Sequence, residues 1–215
     1  MFAALASSFL SLISPPRCVS CMEYMHERFP LCNHCKKRIK PIVTTEIALT
    51  PRYSMKVIAL SHYEEPIASL IKAKYHGARY AGTYLGQLLW DCTYISTLDI
   101  DCFVPIPLHW SRYAIRGFNQ AECIAQTLSY LSGKPVADLL QRTRRTVTQA
   151  GLVALQRRKN VHDVFSITES NILSDKHIIL IDDLMTTGAT LQAAGKLLLT
   201  GKPRSLTALV AARVV

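Results

Sequence analysis

The chain has 215 residues, of which 49% are hydrophobic and 19% are charged. This composition is typical of a globular protein with a buried core, and it excludes disordered, collagen-like and coiled-coil chains. Lysine and arginine number 25 against 15 acidic residues, so the formal net charge is +10, and this excess favours anionic partners such as phosphates, nucleic acid or lipid head groups.

The N-terminal segment, residues 1–16, carries apolar residues at helical spacing and is predicted to form an apolar helix. It lacks the lysine or arginine that opens a secretory signal, and Pro15, Pro16 and Arg17 do not resemble a lipoprotein cleavage site. No apolar run reaches the roughly 20 residues of a membrane span. The helix either packs on the rest of the protein or lies at a membrane interface. We expect a cytoplasmic protein with at most peripheral contact to the inner face of the membrane.

Four cysteines form a Cys-x2-Cys-x10-Cys-x2-Cys pattern, at Cys18, Cys21, Cys32 and Cys35. Two Cys-x-x-Cys turns can direct four thiolates at one ion, which is the shell that structural zinc takes. Because the missing secretory signal indicates a reducing compartment, one zinc ion is favoured over free thiols or an oxidised pair. Residues 17–45 are therefore interpreted as a zinc-ribbon-like module. The three scattered cysteines are expected to be small buried side chains: Cys92, Cys102 and Cys123.

Basic residues surround these cysteines, among them Lys36 and Lys37, and Tyr24 and Phe29 lie between them. Such a cluster can bind a nucleic-acid backbone, or it is an ordinary solvated surface on a small module. The sequence supports both interpretations equally.

Residues 46–215 alternate strands with helices, which is typical of a parallel sheet with crossover helices. The predicted strands cover 55–63, 101–106, 176–181 and 205–214. One helix opens at 64–66, and further helices cover 80–94, 119–132 and 191–199. We therefore expect an α/β domain whose parallel sheet is flanked by helices.

The strongest functional pattern follows the predicted strand 176–181. Two acids, Asp182 and Asp183, are followed by Thr186-Thr187-Gly188-Ala189-Thr190 and then by a helix. Ligands of open α/β sheets bind beyond the carboxyl ends of the strands. A turn of this kind can bind a phosphate through backbone N–H groups and hydroxyls, and adjacent carboxylates suit the two hydroxyls of a ribose. The order of residues predicts a site for ribose 5-phosphate.

Residues 178–190 also resemble the phosphoribosyl pyrophosphate (PRPP) signature of type I phosphoribosyltransferases. The whole chain resembles the ComF family through the cysteine pairs and four later stretches, Lys74-Tyr-His-Gly77, Val104-Pro-Ile-Pro-Leu108, Arg116-Gly-Phe-Asn-Gln120, and Gln149-Ala-Gly-Leu152 with Arg157-Arg158-Lys-Asn160-Val161. The resemblance implies a type I phosphoribosyltransferase-like sheet fused to a zinc ribbon. It further implies a cytosolic factor of natural competence that handles incoming single-stranded DNA. Many relatives carry further cysteine pairs, and Asp163 stands where they often have glycine.

The resemblance implies three recognition elements for PRPP. Asp182 and Asp183 would accept hydrogen bonds from the ribose hydroxyls, close to a magnesium ion, and the segment from Thr186 to Thr190 would bind the 5-phosphate. The loop after the strand 101–106 would bind pyrophosphate. Its candidate residues are Leu108, His109, Arg112 and Arg116. For His109 the alternative is an ordinary surface side chain.

Residues 141–160 carry six cations and no acid. In related transferases a mobile loop at this place closes over PRPP and excludes water, with Gln149, Arg157 and Arg158 as the candidates here. The alternative is a helix with one solvated basic face. The candidates for DNA binding are Arg142, Arg144 and Arg145 in this segment, with Lys36 and Lys37 in the cysteine module.

Taken together, these patterns predict a PRPP-binding, phosphoribosyltransferase-like protein of natural competence that takes part in the uptake or handling of single-stranded DNA. The alternatives are a catalytically active phosphoribosyltransferase acting on a base or amine, and a PRPP-sensing regulator. The sequence leaves open whether turnover occurs. The expected cofactors are structural Zn²⁺ and Mg²⁺ bound with PRPP. The expected partners are PRPP, single-stranded DNA and proteins of the competence machinery.

Overall fold

The computed structural model describes residues 16–25, 29–40, 43–142, 164–168 and 173–214. Its strands are β1 (Val43–Thr50), β2 (Tyr53–His62), β3 (Cys102–Pro105), β4 (Leu140–Arg142), β5 (Phe165–Ile167), β6 (His177–Met185) and β7 (Ser205–Arg213). Five of them form one sheet in the order β1-β2-β7-β6-β3, and β4 pairs with β5 in a separate ribbon. Strands β2, β7, β6 and β3 are parallel, while β1 is antiparallel to β2. The predicted α/β class with a parallel sheet is confirmed.

The helices are α1 (Asn33–Lys37), α2 (Ile67–Lys72), α3 (Arg79–Cys92), α4 (Trp110–Arg116), α5 (Gln120–Ser132) and α6 (Ala189–Leu199). Short 3-10 turns cover Ala73–His76 and Tyr94–Thr97. Helices α2, α3 and α5 cover one face of the sheet, and α6 with the β4-β5 ribbon covers the other. Strand β2 illustrates the reason, because Ile58 and Leu60 face the first layer while Val57 and Ala59 face the second. Apolar side chains on both faces are what a parallel sheet between two helical layers requires.

Five elements lie outside the strands and helices that the sequence predicts, namely β1, α1, β4, β5 and α4, and two of them show why. Strand β1 lacks a clean alternation of apolar and polar residues, and it forms by pairing with β2 across a tight turn between Thr50 and Tyr53. Helix α4 has only seven residues and buries none of them, so it lacks the long core-facing stripe by which periodicity reveals a helix. It is bounded by end caps instead, with His109 at its start and Gly117, at φ +74°, at its end.

The cysteine module packs directly on the α/β domain. Cys18, Leu31 and Cys35 are buried in the same apolar cluster as Ile58 and Leu60 of β2. Polar contacts add to this packing, with Lys40 Nζ 2.8 Å from Glu64 Oε2 and Ser20 Oγ donating to Glu65 Oε2 at 3.2 Å. The module and the sheet therefore share one core.

The scattered cysteines divide into two kinds. Cys102 and Cys123 are buried, as the sequence predicts, but the prediction is wrong for Cys92, which is exposed. Cys92 is the last residue of α3, where the helix leaves its packed layer. Among the described residues, no helix is long and apolar enough to cross a membrane. The predicted N-terminal helix lies, up to residue 15, outside the described residues.

Candidate functional site

The sequence-predicted acids lie at the end of a central strand. Because β3, β6 and β7 are parallel, their carboxyl ends meet at one edge of the sheet, the edge where ligands of open α/β sheets bind. Asp182 and Asp183 lie there on β6, and both are half-buried. The backbone N–H of Asp183 donates to Oδ1 of Asp182 at 2.8 Å, which orients the first carboxylate relative to the second.

The two carboxylates disturb each other electrostatically. Burial and the neighbouring charge of Asp183 raise the pKa of Asp182 to about 7. In the ligand-free protein, the raised pKa therefore favours the protonated form of Asp182 below about pH 7. Hydroxyl donors or a cation placed beside the pair would favour the ionised form.

Lys74 is a site residue to which the sequence analysis assigned no role. Its residue is only 8% exposed, and its Nζ forms an ion pair with Oδ2 of Asp183. The lysine comes from the 3-10 turn that follows α2 and precedes Gly77, which lies at φ +70°. The available signal was a lysine within an apolar segment, because a buried lysine requires a carboxylate partner.

The loop after the acids has the geometry of a phosphate-binding turn. Gly188 lies at φ +74°, and a Cβ atom at this position would approach Cδ1 of Ile47 to 2.9 Å, so only glycine fits. The backbone N–H of Ala189 donates to Oγ1 of Thr187 at 3.4 Å as α6 begins. Thr186 and Thr187 are exposed, and Thr190 is half-buried. The arrangement presents hydroxyls and a helix N-terminus to the same space.

The loop after β3 is held at the same edge of the sheet. The backbone N–H of Ile106 donates to the Ile181 carbonyl at 2.8 Å, and Nδ2 of Asn119 donates to the Ile106 carbonyl at 2.9 Å. These bonds hold Leu108 and His109 beyond the strand ends that carry the acids.

His109 is not a surface side chain, because it is only 6% exposed. Its Nδ1 accepts a hydrogen bond from the backbone N–H of Ser111 at 3.2 Å and lies 2.9 Å from Oγ of Ser111. The ring therefore caps α4 and fixes the direction in which that helix leaves the site.

The two arginines that the sequence predicts for pyrophosphate binding, Arg112 and Arg116, differ in their surroundings. Arg112 lies within electrostatic range of Arg142. The guanidinium of Arg116 instead lies 4.7 Å from the centre of the Tyr75 ring. Arg112 thus lies near a second cation, and Arg116 lies near an aromatic ring.

Arg142, a DNA-binding candidate from the sequence, lies beside the acids. Burial lowers the pKa of its guanidinium, the positive charge of Arg112 lowers it further, and the charge of Asp182 opposes both. Its Cζ is also 5.5 Å from the centre of the Phe165 ring across the β4-β5 ribbon. The remaining candidates of this segment lie outside the described residues: Arg144, Arg145, Gln149, Arg157 and Arg158.

The four N-terminal cysteines form a cluster that could hold a metal ion. Their Sγ atoms all lie within 4.8 Å of one another, and those of Cys21 and Cys32 are 3.7 Å apart. A tetrahedral sulfur shell with a Zn–S distance of about 2.3 Å has an edge of about 3.8 Å, so the spacing fits. Cys18 and Cys35 are buried, while Cys21 is exposed.

Ionisation of the thiols also favours a cation. Burial raises the pKa of Cys18, but backbone N–H donors, those of Cys21 and Cys32 first, lower it to about 6. Burial and the neighbouring thiols raise the pKa of Cys35 to about 12. Four thiols this close cannot all ionise unless a positive ion shares their charge.

A groove of about 470 Å³ opens beside this cluster. Its lining includes Lys36, Lys37 and Lys40 together with Leu60 and Cys92. Both lysines that the sequence analysis proposed for DNA binding therefore line one cavity. None of its lining residues belongs to the segment from Asp182 to Thr190.

Comparison with known proteins gives one domain match and several relatives. Residues 115–214 match the phosphoribosyl transferase domain family. The chain is 31% identical over 192 residues to Competence protein F of Haemophilus influenzae, which covers 84% of this chain and 83% of that protein. It is 37% identical over 106 residues to Competence protein ComFC of Bacillus subtilis, covering 48% of this chain and 40% of that protein.

A DNA utilization protein, YhgH of Escherichia coli K12, is 35% identical over 100 residues, covering 46% of this chain and 43% of the relative. Among solved structures, the adenine phosphoribosyltransferase of Leishmania tarentolae aligns with a TM-score of 0.42 at 11% identity. That alignment covers 79% of this chain and 94% of the other.

Proposed function

The chain belongs to the ComF family of competence proteins, and from this premise we propose that it binds PRPP with magnesium and handles single-stranded DNA during transformation. The observation that carries the proposal is the order of groups at the end of β6. Two carboxylates, a hydroxyl-rich turn and a helix N-terminus follow one another at the carboxyl edge of a parallel sheet.

Each part of PRPP has a matching group in this arrangement. Asp182 and Asp183 accept hydrogen bonds from the two ribose hydroxyls. The 5-phosphate lies in the turn from Thr186 to Thr190, where backbone N–H groups and the start of α6 favour an anion. The loop at Leu108 and His109 faces the pyrophosphate.

Cationic side chains balance the remaining charge of the ligand. Lys74 neutralises Asp183, and Arg112 is the cation proposed for the pyrophosphate, since Arg116 lies over the Tyr75 ring. Magnesium bound with PRPP would supply positive charge to the oxygens of the pyrophosphate and the sugar. The raised pKa of Asp182 is consistent with a carboxyl group that ionises fully only when ligand donors are present.

Calorimetry tests the PRPP site. Replacing Asp182→Asn together with Asp183→Asn removes charged acceptors worth roughly 1.5–3 kcal/mol each, which weakens PRPP binding by at least tenfold. Asp175→Asn is the control, because Asp175 is an exposed acid in a left-handed turn that asparagine also tolerates. Equal affinities of the double variant and the control would disprove the ribose role. The protein is also incubated with PRPP, magnesium and single-stranded DNA. Release of pyrophosphate in this mixture would show that the phosphoribosyl group is transferred and not merely bound.

The groove beside the cysteine cluster supports the DNA part of the proposal. Three lysines on one cavity match a phosphate backbone, and the chain has an excess of ten positive charges. The affinity for a single-stranded oligonucleotide is expected to fall steeply with salt, with a slope of about −0.7 per phosphate contact.

Charge reversal tests this groove. Lys36→Glu with Lys37→Glu weakens binding in fluorescence anisotropy, because repulsion replaces two phosphate contacts. Lys134→Glu with Lys196→Glu reverses the same number of exposed charges elsewhere and serves as the control. If both pairs reduce the affinity equally, net charge acts alone and the groove has no special role. Contacts with competence-machinery proteins and peripheral contact with the membrane remain predictions.

We further propose that the ion held by Cys18, Cys21, Cys32 and Cys35 is zinc. Four sulfur ligands leave no open position, so the ion stabilises the fold and takes no part in chemistry. A reducing compartment would keep the four thiols available as ligands.

A further inference from the structure

Helix α4 presents large apolar side chains to solvent. None of its residues is buried, Trp110 is 74% exposed and Ile115 is 83% exposed, and Tyr113 is also exposed. A helix at the edge of a domain normally packs one face against the core. Aromatic side chains gathered on a surface in this way indicate a partner that covers them.

Cations accompany these aromatic side chains. The guanidinium of Arg116 lies over the exposed ring of Tyr75, 4.7 Å from its centre. Arg79 lies within electrostatic range of Tyr113. We call this set the α4 surface: Trp110, Tyr113, Ile115, Arg116, Tyr75 and Arg79.

Acidic residues are scarce around the α4 surface. Residues 66–90 and 102–121, which supply the whole surface and its flanks, contain no aspartate or glutamate. Glu122 lies within electrostatic range of Arg79, and its Oε1 accepts a hydrogen bond from Gln126 at 3.3 Å. The surface is thus aromatic and cationic. Its charge repels a basic partner and attracts an anionic one.

The α4 surface connects with the PRPP site through adjoining side chains. Tyr75 contacts the guanidinium of Arg116 on one side, and the Nζ of Lys74 lies 5.5 Å from the centre of its ring. Lys74 in turn pairs with Asp183. Tyr75 and Lys74, both from the 3-10 turn Ala73–His76, therefore link α4 to the acids through contacting side chains.

We propose that the α4 surface binds single-stranded DNA, with bases stacked on Trp110 and Tyr113 and phosphates paired with Arg79 and Arg116. Bases stack on exposed aromatic rings without regard to sequence, and arginines beside the rings hold the backbone. The inference rests on the proposed function and adds the route by which the strand approaches the PRPP site. A second copy of the chain is the less suitable occupant, because two cationic surfaces repel each other.

Tryptophan fluorescence tests the stacking directly. The chain has two tryptophans, and Trp90 packs against the core while Trp110 is exposed. In the Trp90→Phe protein the emission reports on Trp110 alone. Titration with an oligothymidine of 20 nucleotides is expected to quench this emission in parallel with the rise in anisotropy. Full anisotropy binding with unchanged emission would overturn the inference.

Substitution tests the contribution to affinity. Trp110→Ala with Tyr113→Ala is expected to weaken oligonucleotide binding by ten- to a hundredfold, and the loss persists at high salt because stacking is insensitive to ions. Lys36→Glu with Lys37→Glu, in contrast, acts mainly at low salt. Tyr130→Ala, at an 88% exposed tyrosine of α5, is the matched control and leaves the affinity unchanged.

The outcomes separate this inference from the proposed function. PRPP affinity by calorimetry stays unchanged in the Trp110 and Tyr113 double variant, which shows that the PRPP site is intact. If the wild-type protein binds the oligonucleotide and the double variant binds it equally well, the inference is wrong and the proposed function stands. If the wild-type protein binds no oligonucleotide at low salt, the inference and the DNA part of the proposed function both fail, while the PRPP part is decided by its own titration. If the substitutions convert a dimer to a monomer in sedimentation while DNA affinity is unchanged, a second copy covers α4.

Discussion

Lys74 and Asp183 form an ion pair between residues 109 positions apart, and both side chains are mostly shielded from water. A buried charge that loses its partner keeps its desolvation cost, whereas a pair removed together leaves no uncompensated charge. The interaction energy of this pair is therefore obtained by comparing the two single substitutions with the double substitution.

The first prediction concerns that coupling. Lys74→Met and Asp183→Asn each lower the free energy of unfolding by roughly 1–3 kcal/mol, and the double substitution lowers it by less than the sum. Urea unfolding of the four proteins measures the coupling. Additive losses would mean that the pair contributes nothing beyond its separate side chains.

Asp182 gives the second prediction, a pH dependence of stability. Its folded-state pKa, about 7, lies above the unfolded value of about 3.8, so the folded state binds more protons between these values. Stability of the ligand-free protein therefore falls as pH rises from about 4 to about 7. The Asp182→Asn variant has no titrating group at this position, so it lacks this part of the decline in stability. Thermal unfolding should find the variant more stable than the wild type at pH 8 and similar to it at pH 4.

A stability difference that does not change with pH would contradict the raised pKa. The stability that Asp182→Asn is expected to gain is also consistent with a role of Asp182 in binding. Side chains arranged for a ligand often destabilise the ligand-free protein. Mg²⁺ and PRPP should reverse the difference, since both favour the ionised carboxyl group.

At the scale of elements, helices α3 and α5 approach each other closely. A Cβ atom on Gly86 would lie 2.7 Å from Cβ of Thr127 and 3.1 Å from the Ile124 carbonyl oxygen. The contact is between rigid parts of both helices, so a side chain at position 86 forces the helices apart. Helix α3 begins shortly after the turn that holds Lys74, and α5 begins directly after Asn119. A shift of either helix would therefore move residues of the candidate site.

The third prediction follows from this contact. Gly86→Val lowers the free energy of unfolding by about 1–3 kcal/mol or more through overpacking. Tyr80→Val, at an exposed position of the same helix, introduces the same β-branched side chain and is the control. Chemical denaturation of both variants measures the difference, and similar values for the two would indicate that the helices separate without cost.

At the scale of the whole molecule, the cysteine module and the sheet share one apolar core. The fourth prediction is that removing the metal destabilises the entire protein in one transition. Calorimetry before and after treatment with a strong chelator is expected to give a lower melting temperature and a single peak, because Cys18 and Cys35 pack against β2.

Metal analysis accompanies that experiment. The purified protein is expected to contain one zinc ion per chain, and Cys21→Ser lowers the content while Cys92→Ser, at an exposed thiol outside the cluster, leaves it unchanged. A metal-free protein with an unaltered melting temperature would exclude a stabilising ion.

Much of the site is predictable because its signals are local. The acids, the hydroxyl-rich turn and the start of α6 lie within one stretch of β6 and α6, where strand length, left-handed glycine and helix start follow from neighbouring residues. The two cysteine pairs are local in the same sense, since each turn brings its own two thiols together. The parallel sheet follows from the alternation of strands and helices.

Other features required the tertiary structure. The sequence alone determined the class of fold, the acidic pair, the hydroxyl-rich turn after it and the pairing of the cysteines. Only the tertiary structure placed Lys74 on Asp183, brought Arg142 near Asp182 and left α4 with its aromatic side chains exposed. The physical reason is that strand order and helix packing bring distant residues together, and those depend on the burial of apolar faces throughout the chain. No pattern of neighbouring residues encodes which distant charge completes a site.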